Sequence, residues 1–126
     1  MDYELTIFSQ ATNWKKYWSR RINKHVSGFV AEVGAGIGSN TDYLLNEKVE
    51  KLILVEPDAK LFGHLIERGI QDKVQYLNGK LGDVSLKLDV IVYVDVLEHI
   101  EDDLTETTLA YEALKEDGYL IIVAPA

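Results

Sequence analysis

The chain has no cysteine and no hydrophobic run long enough to cross a bilayer. Without cysteine there is no disulfide framework and no thiolate metal site. The first ten residues are mixed and acidic rather than typical of a secretion signal, so we expect a cytoplasmic protein. Positive charge is also scarce. Against 21 Asp and Glu there are 13 Lys and Arg, and the formal net charge of −8 argues against nucleic acid as a partner.

The 126 residues that are present have the composition of one small globular domain, 47% hydrophobic and 27% charged. Short apolar runs alternate with amphipathic segments along most of the chain. The runs predict five strands, at residues 29–33, 51–56, 73–78, 88–96 and 119–124. The segments between them predict helices at residues 39–47, 57–69 and 101–118. Such alternation predicts right-handed crossovers and a parallel sheet, an α/β fold.

Helix boundaries have their own signals in these segments. Ser39 or Asn40 is available to cap the first helix, and Pro57 opens the second, which closes at Gly69. The third is expected to hold Lys115 in its last turn, with Gly118 beyond its end.

An additional helix is predicted near the N-terminus, over residues 13–25, with Ser9 or Thr12 as its cap. Its apolar stripe follows i, i+4 spacing and consists of Trp14, Trp18, Ile22 and Val26. The stripe favours a helix docked on the domain. Two other interpretations stay open: an aromatic residue of this helix, such as Tyr17, also covers a bound cofactor, or its basic side chains meet anionic lipid or another acidic partner.

The stretch VAEVGAGIGSNT, residues 30–41, places Gly34, Gly36 and Gly38 directly after the first strand. In an open parallel sheet, ligands bind beyond the carboxyl ends of the strands, where glycine allows close approach of the backbone. A nicotinamide-binding turn, G-x-G-x-x-G, would place its third glycine at position 39, which here is Ser39. The spacing therefore disfavours a nicotinamide-dependent reductase.

Two acids accompany this turn. Glu56 ends the second strand, where a carboxylate can accept hydrogen bonds from both hydroxyls of a ribose. Glu32 lies two residues before the first glycine, which suits a cation better than a pyrophosphate. The α-amino group and sulfonium of S-adenosylmethionine are one example of such a cation.

From about residue 28 onward the sequence resembles the class I S-adenosylmethionine-dependent methyltransferases. Four stretches carry the resemblance, in the family's order: AEVGAGIGSNT, LILVEPD, LDVIVYVDVLEHIEDD and LKEDGYLIIVAP. The resemblance implies a Rossmann-like three-layer sandwich with strand order 3-2-1-4-5. It also implies that residues 28–126 form the cofactor-binding domain, with residues 1–27 as an N-terminal segment docked on it.

The resemblance also implies roles for individual residues. Glu32 contacts the methionine amino group, Glu56 holds the ribose, and Asp95 and Val96 line the methionine side. The turn is shaped by Gly34, Ala35, Gly36 and Gly38, and the adenine is flanked by Pro57 and Asp58 and met by backbone of Gly79, Lys80 and Leu81. The family often has Gly-Asp after strand three. Here the Gly-Asp pair comes later, as Gly82-Asp83, so no adenine-binding acid is assigned.

Methyl transfer needs a base only when the acceptor must lose a proton, and His99 is the candidate. Asp95, Glu98 and His99 also resemble a cluster with which some methyltransferases bind a divalent ion. We favour the alternative that Glu98 and His99 hold their loop by hydrogen bonds, so no metal is expected.

The family's usual strands six and seven have no counterpart before residue 126, which makes strand five an edge. An apolar edge strand tends to pair, so we expect a homodimer through it. The expected partner in catalysis is a small-molecule acceptor. The alternative is a cofactor-binding module that acts only with a partner or with a further C-terminal region.

Overall fold

In the part of the chain that the structure describes, five parallel strands form one sheet in the predicted order 3-2-1-4-5. The computed structural model describes residues 3–70 and 72–124. The strands are β1 Gly28–Val33, β2 Val49–Val55, β3 Val74–Leu77, β4 Leu88–Val94 and β5 Leu114–Val123. Every neighbouring pair is parallel. The carboxyl ends of β1 and β4 therefore lie side by side at the point where the chain order reverses.

The central strands are apolar on both faces because both faces are covered. Along β1, Val30 belongs to one core and Ala31 to the other, following the period of two of an extended chain. The first core also contains Trp18 and Leu65, and the second contains Leu81 and Ala110. These residues come from helical segments on opposite sides of the sheet, which makes the three-layer sandwich.

Among the described residues, three α-helices cover the sheet: α1 Tyr3–Ile22, α2 Ala59–Glu67 and α3 Asp103–Ala113. The prediction of a cap at Ser9 or Thr12 was wrong, because the helical backbone continues through both positions from Tyr3. The apolar stripe was right only in part. Trp18 and Val26 are buried, whereas Trp14 is 41% exposed.

Two further boundaries differ from the sequence prediction. Residues 39–47 contain only a 3-10 turn, Thr41–Leu44, and Asn40 before it makes no side-chain cap hydrogen bond. The third helix stops at Ala113, so Lys115 and Gly118 belong to β5 rather than to a helix end. The pairing of β5 with β4 is irregular between Leu88 and Val90, which absorbs the extra residues.

β5 lies at the edge of the described sheet, and Tyr119 and Ile122 on it are 49% and 45% exposed. Association through this edge stays a prediction. Among the described helices, none is long and apolar enough to span a membrane.

Candidate cofactor site

The glycine loop, residues 34–38, follows β1 and is tied to the end of β2. The amides of Gly34 and Ala35 donate to the carbonyl oxygen of Val55 at 2.8 and 3.0 Å. Gly34, Gly36 and Gly38 have φ angles of 75°, 60° and 87°, in the region that residues with a Cβ avoid. The three glycines are therefore required by the backbone path of this turn.

The three glycines differ in how closely other residues pack against them, and this shows where the loop borders open space. A Cβ on Gly34 would lie 2.8 Å from both Val96 methyl groups, and one on Gly38 would lie 2.9 Å from Leu65 Cδ1. A Cβ on Gly36 would meet no atom of the described residues within 4 Å. Gly34 and Gly38 thus pack against protein, whereas the open side of Gly36 leaves room for a ligand to approach the backbone.

Glu56 is held rigidly at the carboxyl end of β2. Its side chain is buried, and Oε1 accepts from the Gly36 amide while Oε2 accepts from the Asp58 amide, each at 2.8 Å. A carboxylate has about four acceptor positions, so two remain for a ligand. The acid that the sequence pairs with the glycines is thus bonded to the loop itself. Asp58 also caps α2 by accepting from the amides of Lys60 and Leu61, both at 2.9 Å.

The end of β3 closes the same edge of the site. The Glu56 carbonyl accepts from the Asn78 side-chain amide at 2.9 Å and from the Gly79 amide at 3.1 Å. A 3-10 turn, Leu81–Asp83, brings the Asp83 carboxylate back to accept from the Lys80 amide at 2.8 Å. The Lys80 amide that was expected to face the adenine is therefore already paired, and Leu81 is buried in the core.

Asp83 has no role assigned from the sequence, but the structure places it at the edge of the site. A Cβ on Gly79 would lie only 2.6 Å from Asp83 Oδ2, so this carboxylate sits directly against the chain after β3. The signal was present in the sequence as the delayed pair Gly82-Asp83. The 3-10 turn Leu81–Asp83 brings the Asp83 carboxylate back to the end of β3, and this turn was visible only in the structure.

Glu32 lies on β1 beneath the loop and is 2% exposed. Its Oε1 accepts from the hydroxyl of Thr41, itself fully buried, at 2.8 Å. Burial raises the pKa of Glu32 to about 7, although the Thr41 hydrogen bond and the positive charges of Arg68 and Lys15 act in the opposite direction. The carboxyl group therefore titrates near neutral pH, and a ligand cation would favour its charged form.

We expect Glu32→Gln to make folding less dependent on pH. A raised folded pKa stabilises the fold fully below the ordinary value of 4.5, and this stabilisation is lost as pH rises through about 7. The loss amounts to about 3 kcal/mol at most. Glutamine keeps an acceptor for Thr41 and never ionises, so the variant should be the more stable protein at pH 8.

Urea midpoints at pH 5, 6, 7 and 8 measure this effect. Glu50→Gln, at an exposed position of β2, is the matched control and should follow the parent chain. Parallel pH curves for Glu32→Gln and the parent would contradict a buried, titrating Glu32.

A methyltransferase domain model matches residues 9–126. The chain belongs to the methyltransferase domain family. The cofactor of this family is S-adenosylmethionine. No curated protein matches the chain significantly.

Several solved structures have the same fold as this chain. One is DhpI in complex with SAH, with a TM-score of 0.75 and 18% identity over 94% of this chain and 59% of its own. A protein from Methanococcus maripaludis, provisionally assigned as an S-adenosyl-L-methionine-dependent methyltransferase, has a TM-score of 0.74 and 17% identity over 89% and 55%.

The mycolic acid cyclopropane synthase CmaA1, complexed with SAH and CTAB, has a TM-score of 0.71 and 18% identity over 90% and 42%. At these identities the likeness is one of fold. The chain spans about half the length of these solved structures.

In this methyltransferase domain, the loop after β4 faces the glycine loop. Asp95 has a φ of 56°, and its amide donates to the Val123 carbonyl at 2.8 Å. Burial, and then the nearby charge of Glu98, raises the pKa of Asp95, while Lys15 and His99 lower it. Val96 packs against Gly34 and so lies beside the glycine loop. The contact of Asp95 and Val96 with the methionine side of a cofactor stays a prediction.

His99 lies further out on the same loop. Its imidazole is 77% exposed, and Nε2 lies 3.6 Å from Glu98 Oε1. Within the described residues, no group of three histidine or acidic side chains is placed to hold a metal ion. Base catalysis by His99 stays a prediction, because only a bound acceptor would place a proton within its reach.

The structure brings Lys15, rather than Tyr17, to Ser39, directly after the glycine loop. Tyr17 is 54% exposed and stacks on Trp14 with a centroid distance of 5.8 Å. Two positions along a helix correspond to a rotation of about 200°, so Tyr17 points away when Lys15 points inward. Trp18 is buried and lies 5.9 Å from the ring of Tyr43, in the core.

Proposed function

We propose that this methyltransferase domain binds S-adenosylmethionine across the glycine loop and transfers its methyl group to a small-molecule acceptor. One observation carries the proposal. The amide of Gly36 donates to Glu56 at 2.8 Å, and a Cβ built on the open side of Gly36 would have no described atom within 4 Å. The backbone at Gly36 is thus fixed and is not covered by a side chain, and in the proposal the cofactor approaches it there. Family membership supports the same site.

The residues around this space fit the chemical groups of the cofactor. The two free acceptor positions of Glu56 suit a pair of ribose hydroxyls, and Glu32 suits a positively charged amino group. Asp58 and Pro57 flank the adenine end in the proposal. Asp83 is added to them, because its carboxylate can accept a hydrogen bond from an adenine amino group.

Bound S-adenosylmethionine supplies an activated methyl group on a sulfonium, so the protein's task is to orient the reactants and exclude water. Rigid placement of reacting groups accounts for a large share of such accelerations. The glycine loop, Glu56 and Asp95 are fixed by backbone hydrogen bonds at the ends of three adjacent strands. In the proposal, Asp95 and Val96 separate the cofactor from an acceptor held on the outer side of the loop after β4.

Calorimetric titration with S-adenosylhomocysteine and with NADH tests the proposed cofactor. We expect S-adenosylhomocysteine to bind and NADH to bind at least about 100-fold more weakly, because Ser39 replaces the third glycine and buried Glu32 disfavours a pyrophosphate. Tighter binding of NADH would contradict the proposal.

Turnover needs a separate assay, with S-adenosylmethionine labelled in its methyl group and a broad panel of small-molecule acceptors. Transfer of label to one of them is the expected result. Cofactor binding without transfer to any acceptor would instead support a cofactor-binding module that relies on a partner.

A further inference from the structure

Lys15 differs from the other basic residues of the N-terminal helix. Lys16, Arg20 and Arg21 are exposed, whereas Lys15 is half-buried. Its ammonium donates to the carbonyl oxygen of Ser39 at 3.2 Å and lies 5.9 Å from the ring centroid of Tyr43. Lys15 of α1 therefore packs against residues 39–43, which follow the glycine loop.

Lys15 lies close enough to two acids, one at the end of β1 and one just after β4, to interact with both. Its ammonium acts electrostatically on Glu32 at the end of β1 and on Asp95 just after β4. Arg68 also acts on Glu32, but its guanidinium is occupied by the Gly38 carbonyl and by Asp42, at 3.3 Å. Lys15 has three N–H donors and uses one on Ser39, so it has donors left for an anion.

The amino-acid end of S-adenosylmethionine is a zwitterion, with an ammonium and a carboxylate on one carbon. Glu32 and Asp95 supply negative charge for the ammonium, but a carboxylate between two acids would be repelled without a cation beside it. Lys15 supplies that cation from a helix that lies outside the sheet.

We propose that Lys15 binds the carboxylate of the amino-acid end of S-adenosylmethionine, which makes α1 a wall of the cofactor site. The proposal deepens the proposed function and rests on it. Lys15 then discriminates the intact cofactor from adenosine derivatives that lack the carboxylate. A purely structural Lys15 would instead pin α1 to Ser39 and show no preference among ligands.

Calorimetry on four proteins separates the two roles: the parent chain, Lys15→Met, Lys15→Arg and Lys16→Met. Lys16 is the matched control, because it is adjacent, exposed and on a different side of the helix. Each protein is titrated with S-adenosylhomocysteine and with its decarboxylated analogue, which keeps the amine. Thermal unfolding of each variant shows whether α1 still packs.

For Lys15→Met we expect affinity for S-adenosylhomocysteine to fall about tenfold, the size of one charge-assisted hydrogen bond, with no change for the analogue. The parent should itself prefer S-adenosylhomocysteine by about tenfold. Lys15→Arg should retain most of the preference, and Lys16→Met all of it.

An equal loss for both ligands, or no loss for either, would overturn the carboxylate contact while leaving the proposed function intact. Failure of the parent chain to bind S-adenosylhomocysteine at all would instead remove the proposed function, and this inference with it.

Discussion

Replacing Glu56 by alanine is expected to lower affinity for S-adenosylhomocysteine about 100-fold. In the proposed site its carboxylate accepts hydrogen bonds from two ribose hydroxyls, and hydrogen bonds to a charged group contribute about 1.5 kcal/mol or more each. The substitution also leaves the Gly36 and Asp58 amides without their partner, so the loop loses rigidity at the same time. Isothermal calorimetry measures the change directly.

Glu50→Ala is the matched control for this experiment. Glu50 is exposed and lies near the start of β2, whereas Glu56 directly follows the other end of that strand. It should bind S-adenosylhomocysteine as the parent does. An unchanged affinity in a folded Glu56→Ala variant would show that the ribose does not lie at the end of β2, and the site would have to be placed elsewhere.

Gly34→Ala is expected to have the largest effect on stability. The position has a φ of 75°, and a methyl group there would lie 2.8 Å from both Val96 methyl groups. Left-handed strain costs about 1–2 kcal/mol and overpacking a further 1–3 kcal/mol. The sum of about 3 kcal/mol corresponds to a loss of roughly 10 °C in Tm for a domain of this size. Scanning calorimetry or thermal circular dichroism measures it.

Gly63→Ala provides the opposite control. Gly63 is inside α2, where a Cβ would meet nothing within 4 Å, so alanine should stabilise the helix by about 0.5–1 kcal/mol. An unchanged unfolding temperature for Gly34→Ala would contradict the close packing of Val96 against Gly34. Gly34→Ala combined with Val96→Ala should recover part of the loss, because only the overlap is relieved.

The sheet was predictable because its strands are short apolar runs bounded by glycine, proline or charge. Buried parallel strands carry this signal on both faces, so β1, β2 and β4 were predicted to within a few residues. The errors lie at helix ends, at Tyr3, at the 3-10 turn Thr41–Leu44 and at the junction of Ala113 with β5. There the local signals are weak, and packing against the sheet decides how far the helix continues.

Some site residues could likewise be predicted from the sequence, and others could not. The glycines and Glu56 could be named from spacing, because a turn at the end of one strand and an acid at the end of its neighbour must meet. Tyr17 could not be placed relative to the loop, because rotation of a helix about its axis depends on what it packs against.

The sequence by itself determined the order of the elements, the turn that demands glycine, and the acids that end β1 and β2. Only the tertiary structure decided that Lys15 contacts Ser39 directly after this turn, that Asp83 returns to the end of β3, and that Gly36 borders open space. The reason is the distance along the chain over which each effect acts. Backbone strain and strand periodicity are local to a few residues, whereas the direction of a side chain across a groove depends on contacts between segments far apart in the chain.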